Sequence, residues 1–227
     1  MHDVVKIGGL WAPEAESAKL STYSLFEGRL DLDVSKIALA IKMCASKRVA
    51  LDIGAHIGAG TVYLAEHFEL VHAFEPMAPT LKALKLNVAD CDNVMVHENA
   101  VSDRAEALTF EFVPKSSQLS RCIAEGGAKA FGSGKIVTDV KSVSIDDLGL
   151  ADVDFIKLDV EGLETRVVNG AMDTIRRSRP VILIEQGGND QKYMGEPANA
   201  ASLLLEQAGM ARVEGLPYKH DRIYRFE

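Results

Sequence analysis

The stretch Asp52-Ile-Gly-Ala-His-Ile-Gly-Ala-Gly-Thr61 decides the fold class of this 227-residue chain. It continues a short apolar run at residues 48–53 and leads into a segment with helical character at 61–68. An apolar run of this length that reaches a helix through a glycine-rich turn is typical of a buried parallel strand. We therefore predict a ligand crevice at this turn, outside the carboxyl ends of the strands.

The succession of strand and helix continues along the chain. It predicts an open, doubly wound, Rossmann-like α/β sheet that is mostly parallel and has helices on both faces. Further strands are predicted at residues 70–74, 93–98, 154–159, 180–185 and 222–226, and further helices at 79–88, 163–177 and 199–207.

Two regions do not fit this alternation. Residues 1–47 are expected to form an N-terminal helical cover beside the sheet. Residues 104–148 carry two strand-like stretches, 108–113 and 135–145, around a polar loop, so we predict a β-hairpin insert that covers the site. The whole chain, 1–227, is predicted to be a single domain, with 48–103 and 149–227 as its sheet core.

The composition excludes several classes of protein. Lys and Arg number 25 and Asp and Glu number 33, which gives a net charge of −8 and disfavours nucleic acid as a partner. No apolar stretch is long enough for a membrane span, and no basic segment precedes an apolar one at the N-terminus. Three widely spaced cysteines indicate neither disulfides nor a zinc site. We expect a cytoplasmic enzyme of undetermined oligomeric state.

The glycine turn and an acid downstream of it indicate the kind of cofactor. The dinucleotide fingerprint G-x-G-x-x-G fails, because His56 stands at its second glycine position when it is aligned at Gly54. Glu75 closes the second strand about 20 residues after the turn, where a carboxylate can accept hydrogen bonds from a ribose diol. A ribose-binding acid without the pyrophosphate fingerprint favours S-adenosylmethionine over NAD.

Four motifs resemble those of the FkbM family of class I methyltransferases. The resemblance covers roughly residues 48–186, and a weaker match, Val143-Ser-Ile-Asp-Asp-Leu148, precedes the last motif. The four are Ala50-Leu-Asp-Ile-Gly-Ala-His-Ile-Gly58, His72-Ala-Phe-Glu-Pro76, Asn99-Ala-Val-Ser-Asp103 and Phe155-Ile-Lys-Leu-Asp-Val-Glu-Gly-Leu-Glu164.

The resemblance implies a seven-stranded sheet whose last strand, 221–226, runs antiparallel. It implies that the motif around Asp52, Gly54 and Gly58 holds the methionine part of the methyl donor, and that Glu75 holds the ribose. The adenine would lie against Asn99, Ala100 and Val101. The same motifs add Ala55, His56, Pro76 and Asp159 to the expected cofactor contacts, although the family more often has Asn where this chain has His56.

An acidic group marks the end of the strand at 154–159. Lys157, Asp159 and Glu161 are expected to share one side because alternate strand residues point the same way. Glu185 closes the next strand, so three carboxylates are expected to converge on one acceptor. Lys157, in an apolar strand, needs an anionic partner such as Asp52 and acts either as a brace or as a catalytic group.

Three roles stay open for these carboxylates. Asp159 or Glu161 acts as the base that takes the acceptor's proton, because clustered acids raise one another's pKa. Alternatively, Asp159, Glu161 and Glu185 hold a divalent metal, which the sequence does not require. In the third case Glu161 only caps the next helix and Asp159 only touches the cofactor.

The sequence therefore predicts an S-adenosylmethionine-dependent methyltransferase. The acceptor is expected to be a small molecule or glycan, with the methyl group going to a hydroxyl of a sugar, glycan or secondary metabolite. An NAD-dependent oxidoreductase or epimerase is the alternative, and a non-catalytic binding protein with this fold is a third hypothesis.

Overall fold

The computed structural model describes residues 3–117, 120–123, 136–188, 192 and 194–227. None of the helices within these ranges has the length and apolar character that a membrane crossing requires. The strands are β1 (Val4–Ile7), β2 (Leu10–Pro13), β3 (Leu25–Phe26), β4 (Arg29–Leu30), β5 (Val49–Ile53), β6 (Leu70–Phe74), β7 (Val94–His97), β8 (Ala100–Val101), β9 (Ala107–Phe112), β10 (Arg121–Ile123), β11 (Ile136–Val143), β12 (Val153–Leu158), β13 (Val181–Glu185), β14 (Met210–Arg212) and β15 (Asp221–Phe226). The α-helices are α1 (Ser17–Leu20), α2 (Val34–Ala40), α3 (Ala59–Ala65), α4 (Ala78–Asn87), α5 (Glu164–Asn169), α6 (Met172–Ser178) and α7 (Ala200–Gln207).

The main sheet has seven strands in the order β14-β15-β13-β12-β5-β6-β7. The strands β13, β12, β5, β6 and β7 pair in parallel, while β15 pairs antiparallel with both β13 and β14. The mostly parallel seven-stranded sheet is confirmed, and so is its antiparallel strand at 221–226. The carboxyl ends of β5, β6, β12 and β13 consequently lie along one edge of the sheet.

Alternate residues of the central strands pack on opposite faces of the sheet. On one face, Leu51 and Ile156 lie in an apolar cluster with residues of α5, α6 and α7. On the other, Ala50 and Phe155 lie in a cluster with residues of α2, α3 and the N-terminal segment. Both faces are therefore buried, which is why the strands are apolar throughout.

The helix predicted at 163–177 is two helices, α5 and α6. A Cβ on Gly170, between them, would come within 2.2 Å of the carbonyl oxygen of Ser102. The carboxylate of Asp146 accepts hydrogen bonds from the N–H groups of Asp173 and Thr174 at 3.0 and 2.8 Å, and so caps the start of α6. These contacts come from distant parts of the chain, so the periodicity of the segment did not reveal the break.

The expectation of helices throughout residues 1–47 is wrong. This segment contains two antiparallel pairs, β1 with β2 and β3 with β4, besides the short helices α1 and α2. Both turns contain consecutive residues with positive φ, Gly8 with Gly9 and Glu27 with Gly28. Two-residue turns of this kind are typical of tight hairpins, so the glycines in these turns are a local signal of hairpins in the sequence.

The region 104–148 contains more than a hairpin. β9 pairs antiparallel with β11, from Phe112 with Ile136 to Ala107 with Lys141, but β10 pairs with the other side of β9. β11 also pairs in parallel with β8, which makes a separate four-stranded sheet in the order β10-β9-β11-β8. In the predicted insert, residues 118, 119 and 124–135 lie outside the described residues.

Candidate active site

The glycine turn after β5 brings two backbones too close together for a side chain. Gly54 has a φ of +83°, and a Cβ built on it would lie 1.8 Å from the carbonyl oxygen of Asp159. The N–H groups of Gly54 and Ala55 both donate to the carbonyl oxygen of Phe74, at 3.1 and 3.0 Å. Glycine is required here because the ends of β5, β6 and β12 meet at this turn.

Gly58 allows two helices to pack closely. It has a φ of +87° at the start of α3, and a Cβ on it would lie 2.5 Å from Cδ1 of Leu84 in α4. It does not belong to the lining of the cavity described next. Its missing side chain admits a neighbouring helix, and the expected contact between Gly58 and a cofactor stays a prediction.

A cavity of about 930 Å³, including its open mouth, lies at the carboxyl ends of β5, β6 and β12. Most residues that the sequence pointed to line it, but Glu185, like Gly58, does not. Those in the lining are Asp52, Gly54, Ala55, His56, Glu75, Pro76, Asn99, Ala100, Val101, Lys157, Asp159 and Glu161.

Glu75 is held in place by three hydrogen bonds. Its Oε2 accepts from the N–H of His56 at 2.9 Å, and its Oε1 accepts from the N–H of Met77 at 2.8 Å and the hydroxyl of Thr80 at 2.9 Å. Since a carboxylate has about four acceptor positions, about one remains for a ligand. Burial raises the pKa of Glu75 to about 7, although the three donors act in the opposite direction.

His56 links the glycine turn to two other regions. Its Nε2 is hydrogen-bonded to the hydroxyl of Ser117, which also lines the cavity. The N–H of Ser117 donates to Oε2 of Glu16 at 3.2 Å, and Glu16 is fully buried. Burial, together with the charge of Lys157, lowers the pKa of His56 to about 3, so the ring is neutral at ordinary pH.

Lys157 is a buried cation beside two carboxylates. Its Nζ lies 3.7 Å from Oδ1 of Asp52 and 3.7 Å from Oδ2 of Asp159, and it donates to the carbonyl oxygen of Gly54 at 2.9 Å. Burial acts to lower the pKa of Lys157, but the neighbouring acids outweigh it and raise that pKa. These contacts are those of the brace that the sequence analysis considered for this lysine.

Asp52 is the acid that lies beside Lys157 on the neighbouring strand β5, and it is 1 % exposed. Its Oδ2 accepts from the hydroxyl of Thr61 at 2.6 Å. Its Oδ1 has no hydrogen-bond partner among the described residues. A buried acceptor without a donor is costly, and this one belongs to the lining of the cavity.

The structure brings Asp159, Glu161 and Glu185 together. Each offers a carboxylate oxygen, and these oxygens all lie within 4.8 Å of one another. Burial, and after it the charge of Asp159, raises the pKa of Glu161 to about 8. Burial and the neighbouring acids raise the pKa of Glu185 to about 9. The group can therefore hold and exchange protons near neutral pH.

Glu161 reaches this group through a turn and not through strand alternation. β12 ends at Leu158, and Glu161 and Gly162 both have positive φ, +53° and +111°. The N–H of Gly162 donates to both carboxylate oxygens of Glu164, at 3.1 and 3.0 Å. This contact before α5 is made by Glu164, whereas Glu161 lines the cavity.

Several lining residues were not predicted from the sequence. Leu32 and Asp33 come from the N-terminal segment, and Phe110 comes from β9. An Asp just before an apolar helical stretch is a signal for a helix start, but it does not predict that the residue reaches the cavity. Only the packing of α2 beside the sheet brings Asp33 to the cavity.

The model of the Methyltransferase FkbM domain matches residues 52–213 of this chain. The chain belongs to this family. Because this is a family of methyltransferases, membership favours methyl transfer over the NAD-dependent alternative. The motifs that suggested the family lie beside the cavity, at the carboxyl edge of the sheet. The N-terminal segment, including Asp33, lies outside the matched residues.

Two solved methyltransferase structures are similar to this FkbM family member. The FkbM methyltransferase of Methylobacillus flagellatus KT has a TM-score of 0.53 at 19% identity, over 80% of this chain and 44% of that one. The precorrin-6y C5,15-methyltransferase of Geobacter metallireducens GS-15 has a TM-score of 0.47 at 14% identity, over 92% of this chain and 95% of that one. At 19% identity, the likeness to the Methylobacillus protein shows the fold alone.

A curated relative is much longer than this FkbM domain. The AMB antimetabolite synthetase AmbE of Pseudomonas aeruginosa is 27% identical, and the match covers 71% of this chain and 9% of AmbE. The chain thus spans less than a tenth of AmbE and under half of the Methylobacillus protein.

Proposed function

We propose that this FkbM family member transfers a methyl group from S-adenosylmethionine to a hydroxyl of a sugar, glycan or secondary metabolite. One observation carries the proposal: a single cavity is lined by the glycine turn, by Glu75 and by the acids Asp159 and Glu161. Groups suited to a nucleoside and groups suited to proton transfer therefore lie at the same edge of the sheet.

The residues of the cavity fit the methyl donor. The buried Oδ1 of Asp52 accepts no hydrogen bond in the described part of the chain and can accept one from a ligand. Glu75 retains about one acceptor position, which suits a ribose hydroxyl. Ala100 and Val101 are buried apolar residues of the lining and suit the face of an adenine ring.

In this proposal, Asp52 and the turn at Gly54 hold the methionine part of the donor, Glu75 holds the ribose, and the segment 99–101 lies against the adenine. When bound, S-adenosylmethionine supplies a methyl group on a sulfonium centre, ready for in-line displacement. The protein's contribution is to align the acceptor oxygen and to receive its proton.

Glu161 is the base that the geometry supports best. It lines the cavity, whereas Glu185 does not, and its pKa near 8 matches a base that works near neutral pH. Asp159 lies 3.7 Å from the ammonium group of Lys157 and acts as a fixed negative charge beside Glu161. Glu185, whose pKa is raised to about 9, lies in the same group and is mostly protonated at the pH where Glu161 titrates.

We further propose that residues 1–227 act as one catalytic domain. Leu20, Leu30 and Val34 of the N-terminal segment are buried in the same apolar cluster as Phe155 and Leu183 of the sheet. A segment that shares its core with the sheet is expected to fold with it.

Calorimetric titration with S-adenosylmethionine and with S-adenosylhomocysteine tests the donor. We expect binding of both, and Glu75→Ala should weaken it severalfold to about a hundredfold because a ribose hydroxyl loses its acceptor. The matched control is Glu69→Ala, an exposed acid just before β6, which should bind as the wild type does. No binding at millimolar ligand would overturn the proposal.

A further inference from the structure

His56 connects the donor end of the cavity with the region 104–148 through two different parts of the residue. Its N–H donates to Oε2 of Glu75 at 2.9 Å, and its ring nitrogen Nε2 is hydrogen-bonded to the hydroxyl of Ser117. All three residues line the cavity. The reaction as proposed above uses the backbone of His56, through Glu75, but gives its side chain no role.

The backbone of His56 is held in an unusual conformation. Its φ is +54°, in the left-handed region that non-glycine residues seldom adopt, although His and Asn adopt it more often than most. Such a conformation persists only where the surrounding structure fixes it, and it is often found at ligand sites. The ring of His56, which is 20 % exposed, is therefore a fixed point for its partner Ser117.

Ser117 is held on another side by Glu16 of the N-terminal segment. Its N–H donates to Oε2 of Glu16 at 3.2 Å, and the same oxygen lies 3.9 Å from Nε2 of His56. Glu16 is fully buried, and its Oε1 has no hydrogen-bond partner among the described residues. Since a buried carboxylate is costly without donors, the contact with Ser117 stabilises this acid as well. Glu16 lies outside the residues that the family model matches.

The chain around Ser117 forms a turn with its own hydrogen bonds. We call residues 113–117 and 120 the insert turn. The N–H of Ser116 donates to the carbonyl oxygen of Val113 at 2.9 Å, and the N–H of Ser120 donates to that of Ser117 at 2.8 Å. The hydroxyl oxygen of Ser120 accepts from the N–H of Val113 at 3.1 Å. With these bonds the insert turn is expected to move as one piece.

The insert turn forms part of the cavity wall. Ser117 and Ser120 line the same cavity as Glu75 and Val101, to which the ribose and the adenine are assigned above. A bound donor therefore leaves more slowly while the insert turn stays in place. The contacts of Ser117 with His56 and Glu16 keep it there, and both come from segments far from Ser117 along the chain.

We propose that His56 is a positioning residue, which through Ser117 holds the insert turn against the cavity and so slows the release of the donor. The inference rests on the proposed function and deepens it, since it assigns the side chain of His56 to the retention of the cofactor. Glu16 supports the same wall, so the N-terminal segment takes part in closing the site.

The dissociation rate of S-adenosylhomocysteine, measured by stopped flow, tests the proposal. His56→Asn keeps the left-handed backbone, which Asn tolerates, but its side chain is too short to reach Ser117. We expect dissociation to become about 5- to 50-fold faster, as the loss of one buried hydrogen bond implies, with association changed by less than about twofold. In His56→Gln the amide nitrogen can take the place of Nε2, so this variant should recover most of the slow dissociation.

A second variant removes the other partner of the same hydrogen bond. Ser117→Ala should speed dissociation as much as His56→Asn does, and the double variant should be no faster than either. His67→Asn is the matched control, because His67 is hydrogen-bonded to the carbonyl oxygen of Tyr63 and does not line the cavity. It should dissociate as the wild type does.

Three results would overturn the inference and leave the proposed function intact. They are an unchanged dissociation rate in His56→Asn, a His56→Gln that dissociates as fast as His56→Asn, and a double variant in which the two effects multiply. A wild type that does not bind S-adenosylhomocysteine at all would overturn the proposed function together with the inference.

Discussion

The two ends of the cavity are built on different principles. At the donor end, Glu75 accepts three hydrogen bonds from His56, Met77 and Thr80, so its position is fixed by the surrounding chain. At the acceptor end, Asp159, Glu161 and Glu185 place like charges within 4.8 Å of one another. At the donor end an acid is held by hydrogen-bond donors, and at the acceptor end burial and neighbouring charge raise the pKa values of Glu161 and Glu185.

This difference separates binding from proton transfer. A carboxylate held by several donors presents a fixed acceptor to a ligand. Carboxylates with pKa values near 8 and 9 gain and lose protons close to neutral pH, so such a group can take part in proton transfer. We expect substitutions at the donor end to change affinity, and substitutions at the acceptor end to change rate and its pH dependence.

The largest expected effect comes from the turn that joins the two ends. Gly54→Ala would place a Cβ 1.8 Å from the carbonyl oxygen of Asp159, at a φ of +83°. We expect a loss of more than about 4 kcal/mol in unfolding free energy, or no folding at all, in thermal or denaturant unfolding. Gly149→Ala, with positive φ and no atom within 4 Å of the new Cβ, should cost only about 1–2 kcal/mol. Equal costs for the two variants would contradict the close approach.

Glu161→Gln should separate rate from binding most sharply. Without its base, methyl transfer is expected to slow by about 10²- to 10⁴-fold, while the affinity for S-adenosylhomocysteine stays within about twofold. In the wild type the rate should rise with pH up to about 8, because Glu161 must lose its proton to act as a base. The variant should lack this rise. An unchanged rate would exclude Glu161 as the base, and a rate that depends on added divalent metal would favour the metal alternative.

Donor affinity should depend on pH through Glu75. Since its pKa is about 7, Glu75 is ionised at pH 8.5 and largely protonated at pH 6, where it accepts hydrogen bonds poorly. We expect titrations with S-adenosylhomocysteine to give severalfold weaker binding at pH 6 than at pH 8.5. Glu75→Gln should bind more weakly at both values and show little change between them. The same pH dependence in the variant would assign it to another group.

The smallest expected effect is a difference in the pH–rate profile between substitutions of Asp159 and of Glu185, the two acids beside Glu161. The charge of Asp159 adds to burial in raising the pKa of Glu161, so Asp159→Asn should move the pH–rate profile to lower pH by about one unit. Glu185, with a pKa of about 9, is mostly protonated where Glu161 titrates, so Glu185→Gln should move the profile much less. Equal shifts would mean that the two acids act on Glu161 in the same way.

Much of the sheet could be predicted because its signals are local. The strand at 70–74 has the predicted bounds, and the helix predicted at 199–207 is α7, Ala200–Gln207. The N-terminal segment was missed because its two hairpins depend on short turns with positive φ, between strands too short to show a period. The strand β10, which pairs with β9 on the side away from β11, was also missed because it has only three residues.

The candidate site also has a part that the sequence predicts and a part that it does not. Asp52, Gly54, Glu75 and Asp159 lie at strand ends, and parallel strands bring such ends to one edge, so the sequence alone places them near one another. The close approach of α4 to Gly58 could not be predicted, because a glycine permits close approach by any group and the sequence does not say which group approaches.

The sequence by itself determined the five parallel strands of the main sheet, the edge at which the acids collect and the family. Only the tertiary structure decided that Asp33 enters the cavity, that Oδ1 of Asp52 accepts no hydrogen bond among the described residues, and that Glu161 reaches Glu185 through a turn with positive φ. The physical reason is distance along the chain. Periodicity and turn residues act over a few positions, whereas burial, charge and hydrogen bonding depend on side chains that meet from separate segments.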